Sequence, residues 1–226
     1  VLDSKKKEIV SFADLAFGMG AFDLVPILGE KYTVNVSFEN GEQRSFTLPE
    51  VKAEGINVVL HKDDEANLQV GLVANDAFYE KMANQSFYIL GQSNGHLVYA
   101  AQATLKNSSV LINIPKEKLP NGIVQLSLMQ SDGKLISERL AFNRSQPLVD
   151  IAVKTDKASY GQKEGVKLSV HVAPKDSIIG NYAVAVNDES TVPYTDEQAL
   201  GILSNYLLAS DLTGYVEQTN YYVNTI

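Results

Sequence analysis

Residues 119–142, LPNGIVQLSLMQSDGKLISERLAF, decide the fold. Val124, Leu126 and Leu128 alternate with Gln125 and Ser127, the period-two pattern of a half-buried strand. Asp132-Gly133 supplies residues that tolerate positive φ, as a tight hairpin turn requires. Leu135–Phe142 returns as the partner strand, which makes this stretch the closing hairpin of an all-β domain. Strict alternation from Ile136 through Leu140 and Phe142 aims Glu138 inward. A bulge at Glu138-Arg139 is therefore expected, because a lone buried carboxylate costs several kcal/mol.

Counting the first arm of that hairpin, residues 51–144 carry six strand signals ahead of Leu135–Phe142. They are Ile56–Leu60, Leu68–Asn75, Ser86–Gly91, His96–Ala103, Val110–Ile114 and Ile123–Gln130, the last being the first arm of the closing hairpin. With Leu135–Phe142 this makes seven strands at roughly 8–12-residue spacing, the signature of a complete immunoglobulin- or fibronectin-like sandwich. Residues 1–50 read as the C-terminal strands of a partial sandwich. Strands are expected at Glu8–Leu15 and Ala21–Val25, followed by a hairpin from Tyr32 to Leu48 that turns at Asn40-Gly41. Gly18-Met19-Gly20 reads as a strand-entry turn, since no helix follows to aim its N-terminus at a phosphate.

Ser145-Gln146-Pro147 is a short joint. Beyond it, residues 145–226 read as a partial β domain. Val149, Ile151 and Val153 alternate in one strand, Val166, Leu168, Val170 and Val172 in the next, and Tyr182, Val184 and Val186 in a third. The pattern then changes to a helix at about 195–209, capped by Thr195 and Gln198 and carrying Leu200, Leu203 and Leu207. The tail GYVEQTNYYV returns to extended chain. The predicted fold class is all-β, tandem sandwiches with one short helix near the C-terminus.

The chain has 226 residues, a formal charge of −8 and no cysteine. That balance offers no basic surface for nucleic acid. Without cysteine, disulfides, thiolate nucleophiles and cysteine zinc sites are excluded. No apolar run approaches the roughly 18 residues of a spanning helix. The opening VLDSKKKEIV has neither an initiator Met nor an apolar signal core, and reads as part of a longer protein.

Candidate chemistry is sparse. His61, His96 and His171 lack ligand partners at metal-site spacing and read as surface or turn histidines. Asp63-Asp64-Glu65 has the oxygens for Ca²⁺, but a solvated hairpin turn fits three consecutive carboxylates better. No catalytic residue, metal site or cofactor is expected. Tyr88 and Tyr99 sit inside strands and read as packing residues. Tyr215, Tyr221 and Tyr222 crowd the tail and are the candidate interface or ligand residues. Tyr221-Tyr222 either packs back on the third domain or meets another chain.

Several stretches resemble one family. GMGAFDLVPILGEKYTVNV (18–36) resembles a macroglobulin-type domain, with its glycine pair, proline and G-x-x-Y strand entry. LPNGIVQLSLMQSDGKLISERLAF is similar to the ending of the domain that follows in large exported proteins of Gram-negative bacteria. VDIAVKTDKASYGQKEGVKLSVHV (149–172) resembles the start of a macroglobulin MG2-type domain. LLASDLTGYVEQTNYYV (207–223) is similar to the segment that follows it, and is the most specific of the four. The resemblance implies β-sandwich modules in an exported protein of the periplasm or cell surface, associated with the outer membrane. Some relatives continue into carboxypeptidase-regulatory-like or TonB-receptor-plug-like regions. The thioester of macroglobulin-type protease traps needs a Cys-Glu-Gln stretch, so no activity carries over.

The expected function is non-enzymatic: a structural module that spaces or docks neighbouring domains of the parent protein. A glycan- or protein-binding adhesion module is the first alternative, and a segment of a protease trap the second. Unpaired strand edges at both ends also predict an edge-strand dimer.

Overall fold

The computed structural model of the chain describes residues 1–16, 19–61, 64–145, 148–173, 181–188, 190–191 and 200–224. The N-terminal region forms two small antiparallel pairs. β1 (Asp14–Ala16) pairs with β2 (Met19–Gly20), and β3 (Thr33–Ser37) with β4 (Gln43–Thr47). Leu2 bridges to both Thr33 and Glu8. Val1, Tyr32 and Val34 are buried together, flanked by Val10, Phe22, Leu24, Val36 and Leu48. The hairpin turns at Asn40-Gly41 as expected, with Gly41 at φ +82°. The strand expected at Ala21–Val25 is not formed, and of Glu8–Leu15 only Asp14 and Leu15 lie in a strand. Alternation fixes which face a side chain takes, and Phe22 and Leu24 do turn inward. A ladder also needs a neighbouring strand, and 21–25 has none among the described residues.

The body is an antiparallel sandwich of seven strands: β5 (Ile56–Leu60), β6 (Asn67–Ala74), β7 (Ser86–Ser93), β8 (His96–Thr104), β9 (Ser109–Pro115), β10 (Gly122–Gln130) and β11 (Leu135–Asn143). One sheet has the order β5-β6-β9 and the other β11-β10-β7-β8. The chain crosses between the sheets after β6, after β8 and after β9, so local hairpins are interleaved with long-range pairing. Val58, Leu68, Val70, Leu72 and Ile114 from the first sheet meet Phe87, Ile89, Val124, Leu126 and Leu128 from the second. The alternation of these residues is what makes one face of each sheet apolar.

Two local features depart from expectation. A helix, α1 (Asp76–Met82), follows β6, and Asn75 is its N-cap rather than the last strand residue. The Asn75 side-chain oxygen accepts from Phe78 N at 3.0 Å and from Gly55 N at 3.2 Å, while its amide donates to Ala53 O at 2.8 Å. The helix places Phe78 beside Phe87, ring centroids 6.2 Å apart. The bulge of the closing hairpin falls at Ile136, not at Glu138-Arg139, because the register slips between Ser137 and Leu135. Ile136 thereby reaches the core, and Glu138 points outward, where Gln125 Nε2 donates to it at 2.7 Å and Ser127 Oγ at 3.0 Å.

Beyond the sandwich, β12 (Asp150–Thr155) and β13 (Leu168–Ala173) form a two-stranded ribbon. Residues 181–188 carry no strand, so the third strand expected from Tyr182, Val184 and Val186 is absent there. Of the helix expected at 195–209, the structure describes α2 (Ile202–Leu207). Thr195 and Gln198 lie outside the described residues. Its buried face is Ser204 and Leu207, whereas Leu200 and Leu203 are exposed. The tail is not extended, because Thr219–Asn224 forms α3. Tyrosine and valine favour strands, but docking overrides that preference here. Val223 and half-buried Tyr222 pack with Leu207 and Leu208 against Ile123 of β10 and Phe142 of β11.

Candidate functional site

Docking of α2 and α3 decides where the tail tyrosines stand. Gly122 opens β10 at φ +107°, and a Cβ there would lie 3.1 Å from Leu207 O, so the strand end and the helix backbone are in direct contact. Gly201 N donates to Asn220 Oδ1 at 3.4 Å, joining the two helices. The Arg144 guanidinium donates to Val223 O, which ties α3 to the residue that follows β11. Tyr221 and Tyr222 are brought together, their rings edge to face at 5.5 Å. The Tyr222 hydroxyl donates to Met19 Sδ at 3.8 Å, across most of the chain's length. Tyr215 is 90% exposed. The docking thus brings Tyr221 and Tyr222 together, while Tyr215 lies largely in solvent.

The joint after the sandwich is fixed by Asn143. It is buried, and its amide donates to Leu119 O at 3.1 Å, Pro120 O at 2.9 Å and Ser145 Oγ at 3.1 Å. Ser145 Oγ in turn donates to Lys116 O at 2.9 Å. Gln146 and Pro147, the rest of the expected joint, lie outside the described residues.

The ribbon presents a second surface. Ile151 pairs with Val172, Val153 with Val170, and Thr155 with Leu168, so these side chains share one face. Ile151, Val153, Leu168 and Val170 are all exposed, Val153 by 60%. An isolated two-stranded ribbon is marginal in water, and this one leaves a contiguous apolar face exposed. Its loop is held by polar contacts. Asp156 accepts from Tyr160 OH at 2.5 Å and from Lys167 N at 3.1 Å. The Tyr160 hydroxyl, and then the Lys167 amide, hold the Asp156 carboxyl below its ordinary pKa. Glu164 is lowered likewise, first by its bond from Lys157 and then by Gly161 N.

A third feature was missed by sequence reasoning. A cleft of about 740 Å³ opens in the N-terminal region, lined among others by Phe12, Phe38, Asn35, Asp14, Glu8 and Glu39. Phe38 is 43% exposed, with the Arg44 guanidinium 5.4 Å from its ring centre, and Phe12 stacks on Phe22 at 4.9 Å. No local pattern could have found it, because its walls come from segments separated by a loop.

The remaining candidates have structural partners. Asp64 closes the β5–β6 turn by accepting from Ala66 N at 2.9 Å and from Asn67 N, and Asp63 lies outside the described residues. Among the described residues, no group of three or more His, Asp or Glu is arranged to hold a metal ion. His61 lies over Gly71, and His96 and His171 are exposed on β8 and β13. Tyr99 packs on the core, and burial raises its pKa. Tyr88, expected as a packing residue, is 41% exposed on the outer sheet face. The Tyr79 hydroxyl donates to Lys106 O at 2.8 Å. Among the described residues, no helix is long and apolar enough to cross a membrane.

No protein-family model matches the chain, and no curated protein matches it in sequence.

Proposed function

We propose that the chain is a non-enzymatic spacing and docking module of a larger exported protein. One observation carries this reading: α2 and α3 are seated on the end of the sandwich by Leu207, Leu208 and Val223 against Ile123 and Phe142. Elements distant in sequence are thereby held in one orientation, while the ribbon keeps an apolar face available to a neighbour. Rigid packing plus an uncovered sheet face is what a spacer that docks other domains requires. The setting implied by the sequence resemblance, the periplasm or surface of a Gram-negative bacterium in association with the outer membrane, belongs to the same proposal.

The absence of native cysteine allows a direct test by site-specific spin labelling. Labels at Lys134→Cys, on the β10–β11 turn, and Glu217→Cys, ahead of α3, should give one narrow distance distribution. A broad distribution would remove the spacing reading.

The N-terminal cleft favours a second reading, a glycan-binding adhesion module. Half-exposed aromatic rings flanked by Asn, Asp and Glu suit the apolar face and hydroxyl groups of a sugar. A glycan array should then show binding that Phe38→Ala abolishes, and an array blank for the unaltered chain would dismiss this alternative.

A further inference from the structure

Strand β12 carries a charge pattern that is complementary to itself. Asp150 and Lys154 lie on one face, equidistant from Ala152, while Ile151 and Val153 lie on the other. Among the described residues β12 pairs only with β13, and none of them pairs with its second edge. We propose that two copies of this chain join through β12, antiparallel about Ala152, into a four-stranded sheet of order β13-β12-β12-β13.

The register follows from the side chains. Centring the pair on Ala152 puts Asp150 opposite the partner's Lys154 twice, and Ile151 opposite the partner's Val153 twice. The apolar faces of the two ribbons then become continuous, as an isologous two-fold contact requires. Moving the centre to Ile151 leaves Asp150 and Lys154 unmatched. Moving it to Val153 sets Asp150 against the partner's Asp156. A centre between residues would mix the apolar and polar faces. The β13 edge offers no such match, since Lys167 and His171 have no carboxylate on that strand. Four strands with an apolar face also relieve the marginal stability of each ribbon alone. The inference rests on reading the ribbon as a docking surface and names its partner.

Charge reversal tests it. Asp150→Lys alone, or Lys154→Asp alone, sets like charges opposite each other at two places, and each variant should dimerise at least about tenfold more weakly by sedimentation equilibrium. The two variants mixed in equal amounts should recover association, because each copy now complements the other. The doubly reversed protein, Asp150→Lys with Lys154→Asp, should dimerise like the original. Circular dichroism checks that each variant remains folded. A chain that stays monomeric across the micromolar range, or single variants that associate as well as the original, overturns the proposal. A monomer that still gave the narrow label distance described above would sink the dimer and leave the spacer standing.

Discussion

Substituting Gly122 by alanine probes the seat of the C-terminal helices, and its cost can be worked out from two local facts. Gly122 has φ +107°, where an L side chain is strained by about 1–2 kcal/mol. Its added methyl would also lie 3.1 Å from Leu207 O and 3.5 Å from Leu207 Cα. Backbone cannot rotate aside as a side chain would, so overpacking adds about 1–3 kcal/mol. The expected loss is about 2–5 kcal/mol from the two terms together. Gly133→Ala supplies the control, because Gly133 has φ +86° with nothing within 4 Å of its missing Cβ. It should pay the conformational term alone, about 1–2 kcal/mol. Urea unfolding gives the total for each variant, and native-state hydrogen exchange locates it. Amides of 202–224 should lose protection in Gly122→Ala by about tenfold or more, and keep it in Gly133→Ala. Equal destabilisation in both variants, with the helices equally protected, would refute the claim that α2 leans on the strand end.

Two further outcomes are expected. Asn75→Ala removes the cap of α1 together with the bonds to Gly55 and Ala53, and should lower the urea midpoint by the equivalent of about 1–2 kcal/mol. An unchanged midpoint would show that α1 is held by Phe78 alone. The ribbon loop should loosen in acid before the sandwich does. Because the folded state depresses the pKa of Asp156, its contribution is complete above the ordinary value of 3.8 and is lost as pH falls through the lower folded value. NMR titration should show Asp156 moving up towards 3.8 in Tyr160→Phe, and an unmoved titration would discount the hydroxyl as the main cause.

The sandwich was legible because its strands are long alternating runs separated by turns whose residues have a physical job. Asn94 and Gly95 take φ +48° and +75°, and Gly133 takes +86°, as tight hairpins demand. Helix α1 was hidden because seven residues between two strong strands show little period, and Asn75 was its only clear sign. The segments 21–25 and 181–188 alternate as strands do, but alternation carries no information about whether a hydrogen-bonding neighbour exists. The helical tail was illegible for a different reason. Its partners, Phe142 and Ile123, lie some eighty and a hundred residues away, and tertiary packing outweighed the strand preference of Tyr221, Tyr222 and Val223. The same distance explains the candidate site. Crowding of tyrosines is visible in sequence, whereas the half-burial of Tyr222 beside a largely exposed Tyr215 depends on that packing. The charge symmetry of β12 was in plain view, but it acquires meaning only once that edge is found unpaired among the described residues.

Asn143 and α2 both abut the turn at residues 119–122, so the excursion that leaves the sandwich there also returns to the same corner. The ribbon therefore belongs to an excursion whose two ends, Asn143 and α2, are anchored at one corner of the body. Its length is decoupled from the geometry of what holds it, since doubling a closed loop costs only about 0.6 kcal/mol. Evolution or an engineer is free to lengthen, trim or exchange this excursion for another recognition element while the scaffold beneath keeps its form.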